Sequence, residues 1–245
     1  MGLSLSAMTL SLPKLDHRLQ FPEPEQALVE PDGLLAFGGD LSVPRLTLAY
    51  SNGIFPWFSE GEPILWWSPT ERGILELDDF ICHKSLRKLA CSGRYRVTLN
   101  HDFESVIQRC ARVPRTDKGT WITAAMIAAY TELHHQGWAH SVEVWQQDEL
   151  VGGLYGVSIG RVFCGESMFH LRDNTSKLAF FYLVRWLKRH QFDFIDCQLP
   201  NPHLNTLGCS TLSREAFLRR LQKACIQSVS SKCWESETLS DVLQP

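Results

Sequence analysis

The sequence predicts an α+β fold with a mixed sheet, preceded by a smaller N-terminal unit. Three consecutive segments have strand-type composition and are separated only by short turns: residues 140–146, 149–159 and 161–169. A long helical pattern, a further strand and a last helix follow, at residues 175–190, 192–199 and 213–225. An antiparallel three-strand run followed by helix and strand is typical of α+β proteins with a mixed sheet.

Four helices are predicted before this strand run. They cover residues 42–53, 83–93, 102–113 and 123–137. Ser42 is expected to cap the first helix, with Pro44 in its first turn, and Asp102 to cap the third. The buried face of the fourth helix is predicted to consist of Met126, Ile127, Tyr130 and Leu133.

An aromatic, proline-rich tract lies between the first helix and the rest of the chain. Residues 52–69 hold three of the eight tryptophans, within eleven positions, among three prolines. Because proline fixes φ and lacks an amide donor, neither a helix nor a central strand is expected here. The aromatic side chains either cap a core or stack on a ligand: Trp57, Phe58, Trp66 and Trp67. We place a domain boundary at the end of this tract, between a small N-terminal domain (1–70) and a larger domain (71–245).

The composition is that of an ordinary globular protein. Of 245 residues, 44% are hydrophobic and 21% are charged, and no apolar run approaches the roughly 18 residues that a membrane helix needs. The eight cysteines include no C-x-x-C pair, which is typical of scattered free thiols in a reducing compartment. We therefore expect a cytoplasmic monomer that binds no metal and does not associate with a membrane.

Positive charge is concentrated in one block, although the net charge of the chain is −3. Residues 1–80 carry twelve acidic and four basic side chains, whereas residues 81–118 carry nine basic and three acidic ones. The basic ones are Lys84, Arg87, Lys88, Arg94, Arg96, Arg109, Arg112, Arg115 and Lys118. The first three share one helix face by their spacing. The block is either a solvated surface or a face that binds nucleic-acid phosphates.

The predicted strand at 192–199 carries polar groups among apolar ones. Alternation places Phe192, Phe194, Asp196 and Gln198 on one face. Solvent does not favour the phenylalanines and a dry core does not favour the carboxylate, so this mixture suits the wall of a cleft. The alternative is a sheet edge with a solvated polar end.

Glu166 lies in a similar setting in the strand at 161–169. It shares a face with Val162, Cys164 and Met168, where an unpaired carboxylate would be costly. It is either a site residue with an unusual protonation state or a surface side chain that points to water. The preceding strand contains three glycines that predict the close approach of a ligand or another backbone: Gly152, Gly153 and Gly156.

Several common catalytic motifs are absent from the sequence. It contains no G-x-x-x-x-G-K-[ST], no G-x-G-x-x-G after a strand, no G-x-S-x-G and no H-E-x-x-H. Cys164 and Cys197 could act as nucleophiles, but positions inside strands are the simpler interpretation. Nothing here predicts a phosphate loop, a serine hydrolase or a zinc protease.

Eight segments in collinear order resemble leucyl/phenylalanyl-tRNA–protein transferases over about residues 20 to 210. They are EPDGLLAFGGDLS, AYSNGIFPWFSEGEPILWWSP, GTWIT, AHSVEVW, LVGGLYGV, FCGESMF, NTSK and IDCQ. The resemblance implies transfer of leucine or phenylalanine from Leu-tRNA or Phe-tRNA to the N-terminal Arg or Lys of acceptor proteins, which marks them for degradation under the N-end rule.

The resemblance also implies a fold for the larger domain, similar to GCN5-related acetyltransferases. Those enzymes bind the pyrophosphate of coenzyme A with a glycine-rich turn before the central helix. The matching turn here is HLRDNTSK, without glycine. We therefore expect no cofactor.

Carried over residue by residue, the resemblance implies three groups of site residues. The terminal adenosine of the tRNA is expected between Trp57 and Trp121, since stacking on aromatic rings needs no base-specific contact. The tRNA phosphates are expected on Lys84, Arg87 and Lys88. The leucine or phenylalanine side chain is expected in a pocket of Leu154, Phe163, Phe180, Leu183 and Ile195. Simple alternation, however, places Ile195 on the strand face opposite Asp196.

The aminoacyl ester is already activated, so catalysis needs mainly an oriented and deprotonated amine. We expect Asp196 to attract the proton of the acceptor α-ammonium, with Gln198 orienting the amine or relaying between them, and no covalent enzyme intermediate. Glu166 is expected to organise the site by hydrogen bonding. Two alternatives remain open: a non-catalytic tRNA-binding module and an acyl-CoA N-acyltransferase on the same fold.

Overall fold

The three consecutive strands lie at the centre of an eight-stranded sheet in the computed structural model, which describes residues 12–113 and 120–239. The strands are β1 (Lys14–Leu15), β2 (Leu34–Gly38), β3 (Phe55–Pro56), β4 (Leu65–Trp67), β5 (Glu71–Glu76), β6 (Arg96–Leu99), β7 (Ala139–Gln146), β8 (Glu149–Ile159), β9 (Val162–His170), β10 (Phe194–Gln198), β11 (Ser210–Ser213) and β12 (Glu237–Thr238). Arg115 and Lys118 of the basic block lie outside the described residues.

The helices follow the predicted order. They are α1 (Val43–Ser51), α2 (Lys84–Ala90), α3 (Phe103–Arg112), α4 (Ala124–His135), α5 (Thr175–Arg189), α6 (Pro202–Asn205) and α7 (Arg214–Cys225). Asp102 caps α3, as predicted, by accepting a hydrogen bond from the Ser105 amide at 3.1 Å. On α4, three predicted core side chains are buried, whereas Ile127 remains partly exposed.

The larger sheet is mixed, as predicted, because one pair of neighbouring strands is parallel. Its order is β11-β5-β10-β9-β8-β7-β6-β12, and β9 and β10 form the parallel pair. The prediction missed four strands of this sheet: β6, β11, β12 and β5, the last of which lies between β10 and β11. That strand begins two residues after Pro69, so its pattern was obscured by the proline-rich tract.

The smaller sheet, in the order β1-β2-β4-β3, contains part of the aromatic tract. The expectation that no inner strand runs through the tract is wrong, since β4 pairs with strands on both sides. Pro63 and Pro69 flank β4 without interrupting it, so its amides remain free to pair. Trp66 on β4 is fully buried and donates its indole N–H to the Gly38 carbonyl at 2.9 Å.

Apolar side chains cover both faces of the larger sheet. One core contains α5 and α2, and the other contains α1, α3, α4 and α7 together with buried aromatic residues of the N-terminal part. Phe58 and Trp66 belong to that second core, so for them the core-capping interpretation holds. The division into 1–70 and 71–245 stays a prediction. Among the described residues, no helix is long and apolar enough to cross a membrane.

Candidate active site

A cleft of about 640 Å³ opens where the parallel pairing of β9 with β10 ends. The last paired residues are Cys164 and Asp196. The residues beyond them on both strands line the cleft, from Gly165 to Met168 and from Cys197 to Leu199. The diverging strands therefore expose polar side chains inside an otherwise continuous sheet.

Each of the two diverging strands carries a β-bulge at the cleft. Opposite β8, Glu166 is the extra residue, because Tyr155 pairs with Ser167 and Gly156 with Gly165. Opposite β5, Cys197 is the extra residue between Asp196 and Gln198. A bulge redirects the side chains that follow it and interrupts simple alternation. Gln198 additionally has a left-handed φ of 61°.

Glu166 and Gln198 lie in direct contact on the cleft wall. The Gln198 Nε2 donates to Glu166 Oε1 at 2.6 Å, and the Tyr50 hydroxyl donates to the same oxygen at 2.7 Å. The Tyr130 hydroxyl donates to Oε2 at 3.3 Å. Burial raises the pKa of Glu166 to about 7, although these three hydrogen bonds favour its ionised form. Glu166 therefore exchanges a proton near neutral pH.

The hydroxyl groups of Tyr50 and Tyr130 both contact the Glu166 carboxylate. Their hydroxyls also contact each other, so three contacts join Tyr50, Tyr130 and Glu166. When the carboxylate is ionised, only the two hydroxyl protons of the tyrosines are available for these three contacts. When it is protonated, its own proton is available for the third contact. Burial, followed by the charge of Glu166, raises the pKa of both phenols well above the usual value. The tyrosines thus stay protonated while Glu166 changes its charge.

The expectation that Asp196 lies on the cleft wall is wrong. Its side chain is 1% exposed and accepts two hydrogen bonds from the Arg72 guanidinium, at 2.8 Å from Nε and 2.7 Å from Nη2. The solvated-edge alternative fails as well, since β10 lies between β5 and β9. Asp196 still acts on the site through the backbone, because its Oδ1 accepts the Gln198 amide N–H at 2.9 Å.

Arg72 joins this buried carboxylate to the aromatic tract. Its Nη1 donates to the Gly53 carbonyl at 3.1 Å. The guanidinium lies 4.8 Å from the Phe55 ring centroid and 4.6 Å from that of Phe217, within cation–π range. A buried ion pair with satisfied donors and aromatic neighbours holds β5, β10 and the aromatic tract in one arrangement.

The five residues expected to form the amino-acid pocket all line the cleft: Leu154, Phe163, Phe180, Leu183 and Ile195. They lie on the α5 side of the sheet. Ile195 lies on the strand face opposite Asp196, as simple alternation predicts, and this is the face that lines the pocket.

The three strand glycines lie close to other parts of the protein rather than to a ligand. A Cβ on Gly152 would lie 2.5 Å from Thr175, and one on Gly156 would lie 2.3 Å from the Cys164 carbonyl.

Two tryptophans from distant segments line the same cleft. Trp57 is 43% exposed, packs edge-on against Trp67 with centroids 5.5 Å apart, and is held by a hydrogen bond from the Trp67 indole to its carbonyl. Trp121 lies in the segment just before α4 and also lines the cleft. A large aromatic side chain left this exposed beside a cleft offers a flat apolar face to a ligand.

The predicted phosphate-binding residues lie apart from the cleft. Lys84, Arg87 and Lys88 are exposed on α2, which packs against α5. Among the described parts of the chain, no ion pair involves any of these three cations. They form an exposed, positively charged surface.

Sequence reasoning missed three residues of the site: Tyr50, Tyr130 and Arg72. Tyr130 was placed on a buried helix face, where its hydroxyl needs a partner, and this was an available signal. Arg72 falls at the start of an apolar segment, where a buried cation predicts a carboxylate partner. Tyr50 gave no signal of its own.

Two family models match the chain. One is described as leucyl/phenylalanyl-tRNA protein transferase and matches residues 74–222, and the other, described as the N-terminal domain of the same enzyme, matches residues 39–70. The chain is similar to a leucyl/phenylalanyl-tRNA–protein transferase of Pseudoalteromonas atlantica, with 58% identity over 92% of this chain and 96% of the relative. A relative of the same description from Tolumonas auensis is 50% identical over 95% of this chain and 100% of its own length.

The solved structures are more distant. A crystal structure of FemX has a TM-score of 0.48 and 9% identity, covering 74% of this chain and 71% of that chain, a likeness too weak to bear on the fold. The sequence matches decide the class: the chain is an aminoacyltransferase with a mixed α/β architecture. It belongs to the leucyl/phenylalanyl-tRNA–protein transferase family.

Proposed function

We propose that the protein transfers leucine or phenylalanine from aminoacyl-tRNA to the N-terminal Arg or Lys of acceptor proteins and thereby marks them for degradation. The observation that carries this proposal is one cleft that combines an apolar pocket, exposed tryptophan and a proton-exchanging carboxylate in contact with Gln198. We further propose that residues 71–245 form a domain like that of GCN5-related acetyltransferases, because its parallel strands separate at the cleft. The protein acts as a cytoplasmic monomer.

The donor occupies the cleft in two parts. The amino-acid side chain enters the pocket whose members include Phe163, Leu183 and Ile195, all buried on the α5 side. The terminal adenine of the tRNA stacks on Trp57 and Trp121, an interaction that adds binding energy and does not depend on the nucleotide sequence. The aminoacyl ester then lies between the pocket and the tryptophans, beside Glu166 and Gln198.

The acceptor amine is deprotonated at the Glu166–Gln198 pair. An ionised carboxylate only accepts hydrogen bonds, so Gln198 must turn its Nε2 toward Glu166. The Oε1 of Gln198 can then accept a hydrogen bond from an N–H of the acceptor amine. The α-ammonium has a pKa near 7.7–8.0, about one unit above that of Glu166, so proton transfer between them costs only about 1.4 kcal/mol. The amine attacks the ester carbonyl and forms the C–N bond, and the ester C–O bond then breaks. The ribose 3′-oxygen leaves as a hydroxyl, with the proton that the attacking nitrogen gives up.

Asp196 has a positioning role in this proposal. Its carboxylate is 1% exposed, is paired with Arg72 and does not line the cleft, so it does not receive the proton itself. Asp196 accepts a hydrogen bond from the backbone N–H of Gln198 and so stabilises the left-handed backbone at that residue. This backbone directs the Gln198 side chain toward Glu166. Positioning a reacting group is sufficient to affect catalysis strongly, because small displacements cost large factors in rate.

The test is incubation of the protein with labelled leucyl-tRNA and a peptide that begins with Arg, without coenzyme A. Label in the peptide supports the proposal. An N-acetylated form of the same peptide is the matched control, since it lacks the attacking amine. Binding of tRNA without transfer would indicate the tRNA-binding module, and transfer that requires an acyl-CoA would indicate the acyl-CoA N-acyltransferase.

Replacing Trp57 by alanine is expected to weaken binding of an aminoacylated adenosine by roughly 1–3 kcal/mol, the usual contribution of one stacked base. Trp57→Phe should retain much of the affinity because a smaller aromatic face remains. Affinity is measured by titration, with the melting temperature recorded for each variant.

The buried Trp66 is the matched control for Trp57. Trp66→Ala should destabilise the fold by about 3–5 kcal/mol, as expected for a large core truncation. A Trp57→Ala protein with a similarly lowered melting temperature and unchanged affinity would make Trp57 a packing residue.

Replacing Lys84, Arg87 and Lys88 together by alanine is expected to weaken binding of different aminoacyl-tRNAs to a similar extent. Each lost phosphate contact should lower the slope of log affinity against log salt by roughly 0.7–0.9. The control is the double alanine variant of Arg219 and Lys223, exposed cations on α7. An unchanged slope in the triple variant would move the tRNA surface elsewhere.

A further inference from the structure

Two of the eight cysteines are in contact. The Sγ atoms of Cys197 and Cys209 lie 3.5 Å apart, and both are free thiols. Each is partly exposed, whereas Cys110, Cys164 and Cys233 are buried. Two partly exposed cysteines whose sulfurs are this close can react with each other once one of them is oxidised.

The thiol pair is located at the two ends of one cleft-lining segment. Cys197 is the bulged residue of β10 and lines the cleft, and Cys209 directly precedes β11. Between them, the segment contains α6 and contributes six cleft residues: Gln198, Leu199, Pro200, Asn201, His203 and Leu204. A covalent bond between the two cysteines would close this segment into a loop and bridge across β5, which lies between β10 and β11.

We propose that Cys197 and Cys209 form an oxidation site at which a peroxide closes a reversible disulfide bond and inactivates the enzyme. Disulfides in reducing compartments are commonly transient and redox-sensing, which fits a pair of free thiols in contact beside the cleft. The site is a property of the thiol pair itself. Its effect on activity rests on the proposed role of Gln198.

The contact between the two sulfurs favours one order of steps. The contact with Cys197 lowers the pKa of Cys209, while the same contact and burial raise that of Cys197. The Cys209 thiolate attacks hydrogen peroxide, breaks the O–O bond and becomes a sulfenic acid, and hydroxide leaves. Cys197 loses its proton and attacks the Cys209 sulfur, and the sulfenic oxygen leaves as water. Two thiols and one peroxide thus give one disulfide and two waters.

Closing the bond changes the geometry of the cleft. The sulfurs must approach from 3.5 Å to about 2.05 Å, so the side chains and the adjoining backbone shift. Gln198 follows Cys197 directly, in a left-handed conformation that depends on the local register. Displacement of a positioning group by about 1 Å can reduce a rate by roughly 100-fold.

The experiment treats the full-length protein with hydrogen peroxide and measures intact mass and single-turnover transfer of leucine, before and after reduction with dithiothreitol. We expect a loss of two hydrogens in mass, mapped to a peptide joining Cys197 and Cys209, and at least a tenfold loss of rate that reduction restores. Cys209→Ser should keep the untreated rate and resist inactivation. Cys91→Ser, which removes an exposed thiol elsewhere, is the matched control and should behave like the parent protein.

Each other outcome overturns part or all of the proposal. Oxidation of Cys91 without a bond between Cys197 and Cys209 would show that the pair is not an oxidation site. A disulfide that leaves the rate unchanged would separate the pair from catalysis, and equal inactivation of Cys209→Ser would assign the effect to another residue. Cys209→Ala replaces Cys209→Ser if the latter fails to fold. The mass measurement is independent of the proposed enzymatic function, so failure of the two can be told apart.

Discussion

Replacing Glu166 by glutamine is expected to slow single-turnover transfer by roughly 10²–10⁴-fold, the usual contribution of a general base. Binding of aminoacyl-tRNA should change little, because the replacement conserves the shape of the side chain. In the parent protein the rate should fall as the pH drops through about 7, where Glu166 takes up a proton. The variant should lose the limb at about 7 and keep only the limb of the acceptor amine itself, near 7.7–8.0. A pH series at saturating peptide measures the rate and both limbs.

The control is Glu60→Gln, which neutralises an exposed carboxylate in the aromatic tract. It should leave the rate and its pH dependence unchanged. A Glu166→Gln enzyme that keeps its rate within about threefold and retains the limb near pH 7 would show that another group accepts the proton.

Replacing Arg72 by methionine is expected to destabilise the fold by about 3–5 kcal/mol, because it leaves the buried Asp196 carboxylate without a counter-charge. Arg72→Met combined with Asp196→Asn should recover much of this loss, because the buried negative charge is gone. The asparagine oxygen can still accept a hydrogen bond from the backbone N–H of Gln198. Denaturant unfolding of the two variants and the parent protein measures the effect.

The exposed pair of Arg18 with Asp16 provides the comparison, with side chains 66% and 43% exposed. Arg18→Met should lower the stability far less than Arg72→Met, as is usual for surface ion pairs. If Arg72→Met were as mild as Arg18→Met, Asp196 would have another means of stabilising its charge, and the buried pair would not be the link between β5 and β10.

The order of the main elements and the family could be predicted from the amino-acid sequence. The predicted helices and the three-strand run reappear with boundaries shifted by a few residues, because apolar periodicity and capping side chains such as Asp102 are local signals. The expected pocket residues likewise reappear together along one cleft, since their positions were carried over from a collinear resemblance.

Which carboxylate faces the cleft depends on contacts between distant segments. Alternation within β10 placed Asp196 and Gln198 on one face, but the bulge at Cys197 separates them, and a second bulge at Glu166 directs that carboxylate to the cleft. A bulge is defined by register against a neighbouring strand, and β5 is more than a hundred residues away from β10 in sequence. The same long-range pairing brings Arg72 to Asp196, and helix packing brings Tyr50 and Tyr130 to Glu166. A local pattern carries no information about such partners, because their contacts form only when distant segments pack together.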